Sequence, residues 1–202
     1  MIRLIDIVLS IFGLIMLSPI LLLTAIGISL ESRGGVFFRQ TRVGKDFKEF
    51  KLLKFRSMFV NSELRGQLTV GSRDARITKM GYFIRKYKVD ELPQLINVLL
   101  GDMSLVGPRP EVPKYVSKYT KEQKRLLSVR PGITDYASLY YFEEADLLAA
   151  SDDPERTYIE KVMPEKLSFS LRYLNQKSVY SDLKIIIFTV LRLFGFKIKL
   201  IK

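Results

Sequence analysis

The chain contains neither cysteine nor histidine. The first absence excludes disulfides and thiol chemistry, and it fits a reducing compartment without proving one. The second removes the imidazole base and, with the first, every His/Cys metal site. Any general base must therefore be Asp, Glu, Lys or Tyr. Any metal must be held by oxygen ligands, which points to Mg²⁺, Mn²⁺ or Ca²⁺. The phosphate-loop pattern and the Gly-x-Gly-x-x-Gly dinucleotide fingerprint are absent too. There is no internal repeat, low-complexity segment or strong linker. Acidic residues are scarce beside basic ones, 21 against 33, giving a formal net charge of +12 over 202 residues. Such an excess suits polyanions: a membrane surface, a nucleotide or a nucleic acid. The length fits one domain with room for a core.

Charge is missing altogether from residues 7–30, 24 consecutive positions. A straight helix of that length would reach roughly 36 Å, enough to cross a bilayer. Ser18-Pro19 stands at its centre. Proline removes a backbone donor and crowds the preceding turn, and serine can bond back to a carbonyl, so a break or kink is expected there. Each half alone is too short to span. The segment is therefore either a kinked spanning helix or one that enters, turns and leaves on the same face. Glu31-Ser-Arg-Gly follows it, rather than a small-residue cleavage site, which argues against a cleaved signal peptide. Arg3 and Asp6 cancel, so the whole +12 lies in residues 31–202. The positive-inside tendency then puts the bulk of the protein in the cytoplasm.

The densest chemistry lies in residues 85–110. Arg85, Lys86 and Lys88 precede two adjacent carboxylates, Asp90 and Glu91. Pro93 is tolerated only in a first helical turn. Leu92, Leu95, Ile96 and Leu99 follow at helical spacing, and Gly101 suits a helix stop. Asp90 and Glu91 are thus expected at a helix N-terminus, where free amides and the dipole favour anions and keep a carboxylate ionised. Pro108-Arg109-Pro110 holds an arginine between two residues of fixed φ. A carboxylate pair flanked by fixed cations is what chemistry on a phosphate needs: a nucleophile or base, a metal ligand and charge neutralisation. The plainer reading is first-turn capping beside surface arginines.

Elsewhere, residues 36–41 and 47–55 read as a β-hairpin turning at Gly44-Lys45-Asp46, and 61–73 as a loop. Asp74 is expected to cap a helix reaching Tyr87. On it Arg85 either neutralises a bound phosphate or is a surface charge. Residues 111–127 read as one amphipathic helix, with Tyr115, Val116, Tyr119 and Leu126 against several lysines. That helix would lie in a membrane interface or face the core. Asp152-Asp-Pro-Glu starts a further helix that Pro164 interrupts. Ser181-Asp182 caps a last one, core or interfacial and too short in its apolar part to span. The tail 197–202 alternates charge with apolar groups, as an edge strand or a membrane-surface tail would.

Asp74-Ala-Arg-Ile-Thr-Lys-Met-Gly81, Val89-Asp-Glu-Leu-Pro-Gln-Leu95, Asn97-Val-Leu, Gly101-Asp-Met-Ser-Leu-Val-Gly-Pro-Arg-Pro110 and Arg130-Pro-Gly-Ile-Thr134 closely resemble the bacterial sugar transferase family. Its members are monotopic polyprenyl-phosphate phosphoglycosyl transferases. The resemblance runs from the hydrophobic stretch to about Asp182. It favours the same-face membrane form and implies an α+β, mostly helical fold. That fold has a re-entrant N-terminal helix (1–33), then a cytoplasmic catalytic domain (34–202) with a short β-hairpin and amphipathic interfacial helices. It implies transfer of a sugar-1-phosphate from a UDP-sugar to polyprenyl phosphate with release of UMP, the first membrane step of a bacterial surface glycan. The place would be the cytoplasmic face of the inner membrane. Asp90 would attack the sugar-bearing phosphate and form a covalent aspartyl intermediate. Glu91 would assist or hold metal, and Mg²⁺ would be held partly by Asp90 and Glu91. Arg85, Arg109, Lys54, Arg56 and Arg130 would bind substrate phosphate; Lys54-Phe-Arg-Ser-Met58 is similar to a basic-aromatic motif near the family's active site. Expected partners are the UDP-sugar, the polyprenyl phosphate, the bilayer and, as an option, a second copy of the chain; nucleic acid is not among them. One departure stands out. Most members of the resembling family carry Gly where this chain has Asp135, which puts the local backbone, and with it sugar recognition, in question. A reading from another class is a non-enzymatic basic protein that binds anionic lipid or nucleic acid. Release of UMP from a UDP-sugar, with polyprenyl phosphate and Mg²⁺, separates the two.

Overall fold

The computed structural model describes residues 2–62, 66, 68–71 and 74–196; the tail 197–202 lies outside them. The first element, α1 (Ile2–Glu31), is 30 residues of helix with Pro19 inside it. It is long and apolar enough to cross a membrane, by length and composition. Helical structure is present on both sides of Ser18-Pro19, the position of the expected kink. Proline at 19 leaves the Ile15 carbonyl without its i+4 donor, and the Ser18 hydroxyl donates to that carbonyl at 2.8 Å. The serine thus repairs what the proline removes.

Both ends of α1 dock on the same body. Near its start, Arg3 donates to the carbonyls of Val98 and Leu99, and buried Asp6 accepts from Ser104 Oγ and Leu105 N. Near its end, Ile28 packs with Phe55 and Ile84, and Glu31 accepts from the amides of Lys79 and Met80. Between these anchors Leu4, Phe12, Ile15, Met16, Leu22 and Leu23 stand exposed. Burying each such side chain is worth about 1.5–3 kcal/mol, so this face is built for apolar surroundings.

The hairpin forms as expected. Strands β1 (Phe37–Val43) and β2 (Glu49–Phe55) pair antiparallel, Phe37 opposite Phe55, around a tight turn through Lys45–Phe47. Helix α2 (Lys79–Lys86) starts later than expected. Its cap is Thr78, which accepts from Gly81 N. Asp74 does not cap it, because its carboxylate takes the Arg76 guanidinium at 2.6 Å and Ile77 bridges to Met58 in extended form. Lys88, at φ 55°, then turns the chain into a 3₁₀ turn, Val89–Glu91, that leads through Pro93 into α3 (Gln94–Leu100). Gly101 ends α3 at φ 94°, the left-handed stop its sequence position predicted. Buried Asn97 fastens α3 to β2: its amide donates to Lys51 O and its oxygen accepts from Leu53 N.

Strand β3 (Ser104–Val106) pairs parallel with β4 (Gly132–Thr134), which joins two of the sequence motifs. A Cβ on Gly132 would lie 2.0 Å from Gly107 N, so only glycine permits this approach. The expected single helix over 111–127 is corrected. It divides into α4 (Pro113–Val116) and a 3₁₀ segment, Gln123–Ser128. Thr120 and Gln123 cap each other reciprocally and start a new turn there. Tyr115, Val116, Tyr119 and Leu126 are buried in the main core with Leu148, Tyr158 and Leu167, so this face of the segment packs on the protein.

Beyond β4 come α5 (Tyr136–Tyr140), α6 (Glu144–Ala149), α7 (Pro154–Thr157, capped by Asp153), a π turn at Tyr158–Val162 and α8 (Met163–Asn175). Pro164 does not interrupt the helix as expected. It stands at the start of α8, where a missing N–H is tolerated, just past the wider π turn. The last helix, α9 (Val179–Leu193), is capped by Ser178 reciprocally with Ser181, one turn earlier than expected. Asp182 instead accepts from Tyr173 OH at 2.6 Å. Asp135, the departure from the resembling motif, has an extended backbone (φ −157°) that any residue adopts. Its buried carboxylate caps α5 through Ser138 N at 2.7 Å and accepts from Ser170 Oγ at 2.9 Å on α8. The local backbone is therefore held rather than disturbed.

Candidate active site

The turn between α2 and α3 delivers Asp90 and Glu91 into a cavity of about 920 Å³, a size suited to a small-molecule ligand. The hairpin forms one wall through Gln40, Arg42 and Lys54, and Arg109 and Glu111 line another. The carboxylates sit one turn before α3, not on its first amides. That placement has an electrostatic consequence. Asp90 Oδ1 is buried with no hydrogen-bond partner. Burial pushes its carboxyl above the ordinary aspartate value; Lys54 opposes this and Glu91 adds to it. The direction is the reverse of what a helix terminus alone predicts, because no donor compensates Oδ1 for its lost water.

Glu91 behaves oppositely. Its Oε1 accepts from Lys54 Nζ at 2.7 Å and from Arg109 Nη2 at 2.6 Å. Burial alone would raise its carboxyl, but Arg109 and Lys54 outweigh it and hold the group well below the usual carboxylate range. Two adjacent acids in one cavity thus have their pKa values pushed apart, the pattern that divides roles between paired carboxylates.

The cations expected to meet substrate phosphate separate into four groups. Lys54 and Arg109 are together on Glu91. Arg85 lies beside Asp90, lowering its pKa, with its guanidinium 3.5 Å from Ser57 Oγ. Arg56 lines the cavity but spends its terminal nitrogens on the carbonyls of Ser32 and Arg33, where it closes the end of α1. Arg130 is placed elsewhere: it donates to Gly101 O and is not among the cavity's lining residues. Sequence reasoning missed Arg42, Glu111 and Tyr158. Arg42 contacts Glu111 at 3.5 Å and donates to Pro110 O at 2.8 Å, and Tyr158 donates its hydroxyl to Glu111. No local pattern marks these residues. Arg42 reads as an ordinary strand residue, and Tyr158 lies 47 positions from Glu111. The one available signal was that Glu111 directly follows Pro110.

Among the described residues no group of three or more His, Cys, Asp or Glu stands together. A hard cation that keeps waters and substrate phosphates as its other ligands needs only one or two carboxylates. Asp90, with its unpartnered anionic oxygen, fits that need. Glu91 fits less well, since both its oxygens already accept from cations.

A carboxylate pair held among fixed cations, with an exposed apolar helix on the same body, is the arrangement that chemistry on a phosphate calls for. The comparisons with known proteins agree. The family model described as bacterial sugar transferase matches residues 1–195, and the chain belongs to that family. It is 39% identical over 191 residues to the UDP-glucose:undecaprenyl-phosphate glucose-1-phosphate transferase of Escherichia coli, covering 93% of this chain and 39% of that protein. It is 40% identical over 188 residues to the UDP-N-acetylgalactosamine-undecaprenyl-phosphate N-acetylgalactosaminephosphotransferase of Aeromonas hydrophila, covering 92% and 41%. An uncharacterized sugar transferase of Bacillus subtilis, EpsL, is 39% identical over 188 residues, covering 93% and 84%. The chain thus spans about two-fifths of the length of the first two.

Proposed function

We propose that the chain transfers a sugar-1-phosphate from a UDP-sugar to a polyprenyl phosphate such as undecaprenyl phosphate, releasing UMP, as a first membrane step of bacterial surface glycan synthesis. The observation that carries this is Asp90: a buried carboxylate oxygen with no partner, in a ligand-sized cavity beside Lys54, Arg85 and Arg109. The names of the relatives support the donor and acceptor classes.

In the first step an Asp90 oxygen bonds to the sugar-bearing phosphorus and the phosphoanhydride bond to UMP breaks. UMP leaves with the bonding pair, and the sugar phosphate rests on Asp90. In the second step an oxygen of the lipid phosphate bonds to that phosphorus, and Asp90 leaves as its carboxylate. Arg85 draws a phosphate toward Asp90 and offsets its repulsion by the carboxylate. Glu91, kept ionised, holds Lys54 and Arg109 in place, so the wall facing the diphosphate carries fixed positive charge. Asp90 would hold part of a hard cation such as Mg²⁺, which would supply further neutralisation of the diphosphate charge.

The lipid acceptor requires a membrane seat. Anchoring of both ends of α1 to one body supports the re-entrant form, with Arg3 and Asp6 on the same side as Glu31. The +12 charge beyond residue 30 supports the cytoplasmic face. The test uses a donor labelled in the sugar and its attached phosphate, without acceptor, followed by denaturation. Retained label on a peptide carrying Asp90 is expected, and none in Asp90→Asn. Turnover with acceptor, but no protein-bound label on rapid quenching, would remove the two-step route.

A further inference from the structure

One part of the cavity lining differs from the rest. Phe37, Phe59, Val60 and Tyr82 line it, and each is about half exposed, at 45, 52, 57 and 46%. Three separate stretches supply these four side chains: the start of β1, the chain after β2 and the first turns of α2. Large apolar groups on three elements, wet at the rim of one cavity, are not scattered surface residues. The same rim adjoins the end of α1, since Gly34 and Gly35 line it and Arg56 ties it to Ser32 and Arg33. On α2 and at its C-cap, Phe83 and Tyr87 are also exposed and meet at a tilt with ring centroids 4.9 Å apart. Aromatic residues of this kind settle at a membrane–water boundary. Elsewhere the lining is polar, with Thr69, Glu143, Glu144 and Asp146.

Arg85, close enough to Asp90 to lower its pKa, and Lys86 are on the same lining. An occupant that passes the rim therefore presents a hydrocarbon chain to Phe59 and Val60 and an anion to Arg85. We infer that this rim is the portal for the isoprenoid phosphate acceptor. Its first isoprene units lie against Phe37, Phe59, Val60 and Tyr82, and its phosphate meets Arg85, while the water-soluble donor uses the polar part of the lining. Charge complementarity and continuity with α1 select a single-chain lipid phosphate over a nucleotide, which has no hydrocarbon chain to cover the rim. This assignment rests on the proposed transferase reading for its ligand.

The test does not need turnover. The full-length protein in vesicles is exposed to an isoprenoid phosphate carrying a diazirine on its first isoprene units, irradiated and digested. Label is expected on Phe59, Val60 or Tyr82, competed by unlabelled undecaprenyl phosphate and not by UDP-sugar. Label confined to α1, or found at Glu143–Asp146, overturns the portal. In parallel, Phe59→Ser with Val60→Ser should raise KM for undecaprenyl phosphate on the order of tenfold, for lost apolar contact. KM for the donor should stay within about twofold, and co-sedimentation with vesicles should match the wild type. An equal rise in both KM values, or no rise for the acceptor, also overturns it. If the wild type makes no UMP from any UDP-sugar, the transferase reading fails; the crosslinking result still decides the portal by itself.

Discussion

Ser104 donates its hydroxyl to Asp6 at 2.6 Å, across 98 positions of the chain. A carboxylate near the start of the apolar helix is thereby fixed to the same body that holds Glu31 at its other end. A spanning helix would place these two acids on opposite sides of a bilayer about 30 Å thick.

Topology is therefore the first prediction. The chain has no native cysteine, so Ile2→Cys and Ser32→Cys each give a single labelling site. An impermeant thiol reagent should label neither in intact cells and both after permeabilisation. Labelling of the Ile2 site alone from outside would show a spanning helix. Pro19→Leu restores a donor for the Ile15 carbonyl and should shift the segment toward spanning.

The second prediction concerns pH. Asp90 must be ionised to attack, and burial raises its pKa above the ordinary value. Attachment of label from the donor should therefore fall as pH is lowered, with its acid limb above about 3.9. Lys54 lowers this pKa and Glu91 raises it, so Lys54→Met should move the limb to higher pH and Glu91→Gln to lower pH. Single-turnover rates across pH read both shifts, and movement of the two limbs in the same direction would contradict the assignment.

Stability gives the third. The folded-state pKa of Glu91 is depressed, so its contribution is present above the unfolded value and is lost as pH falls through the folded one. Glu91→Gln leaves Lys54 and Arg109 beside a neutral group and should cost on the order of 3 kcal/mol near neutral pH. The difference from wild type should shrink below about pH 4.3. Denaturant midpoints at pH 7 and pH 3 measure it; a constant difference would mean that Glu91 is not ionised against these cations.

The fourth is metal dependence. With only oxygen ligands available, a chelator should abolish turnover and Mg²⁺ should restore it. Full turnover in excess chelator, with no metal detectable in the protein, would exclude a hard cation.

Much of the local structure was legible because it depends on short-range chemistry. The hairpin followed from two apolar strands around a glycine-led turn, and the stop of α3 from a glycine in the left-handed region. The segment 111–127 misled because apolar periodicity outlasts a helix. The reciprocal Thr120–Gln123 cap that divides it was in the sequence, as Thr-x-x-Gln, and went unread. The start of α2 misled for another reason: Asp74 had a closer partner in Arg76 than the helix amides.

By itself the sequence determined the elements that need only neighbours: an apolar helix with a proline and its repairing serine, adjacent acids before a short helix, and oxygen as the only metal ligand. Tertiary structure alone decided the charge state each acid favours, because burial and distant partners set it. Asp90 is buried without a donor, whereas Glu91 meets Lys54 from β2 and Arg109 from beyond β3. It also decided that both ends of α1 dock on one folded body, since Asp6 reaches Ser104 and Glu31 reaches α2 only once the chain has folded between them.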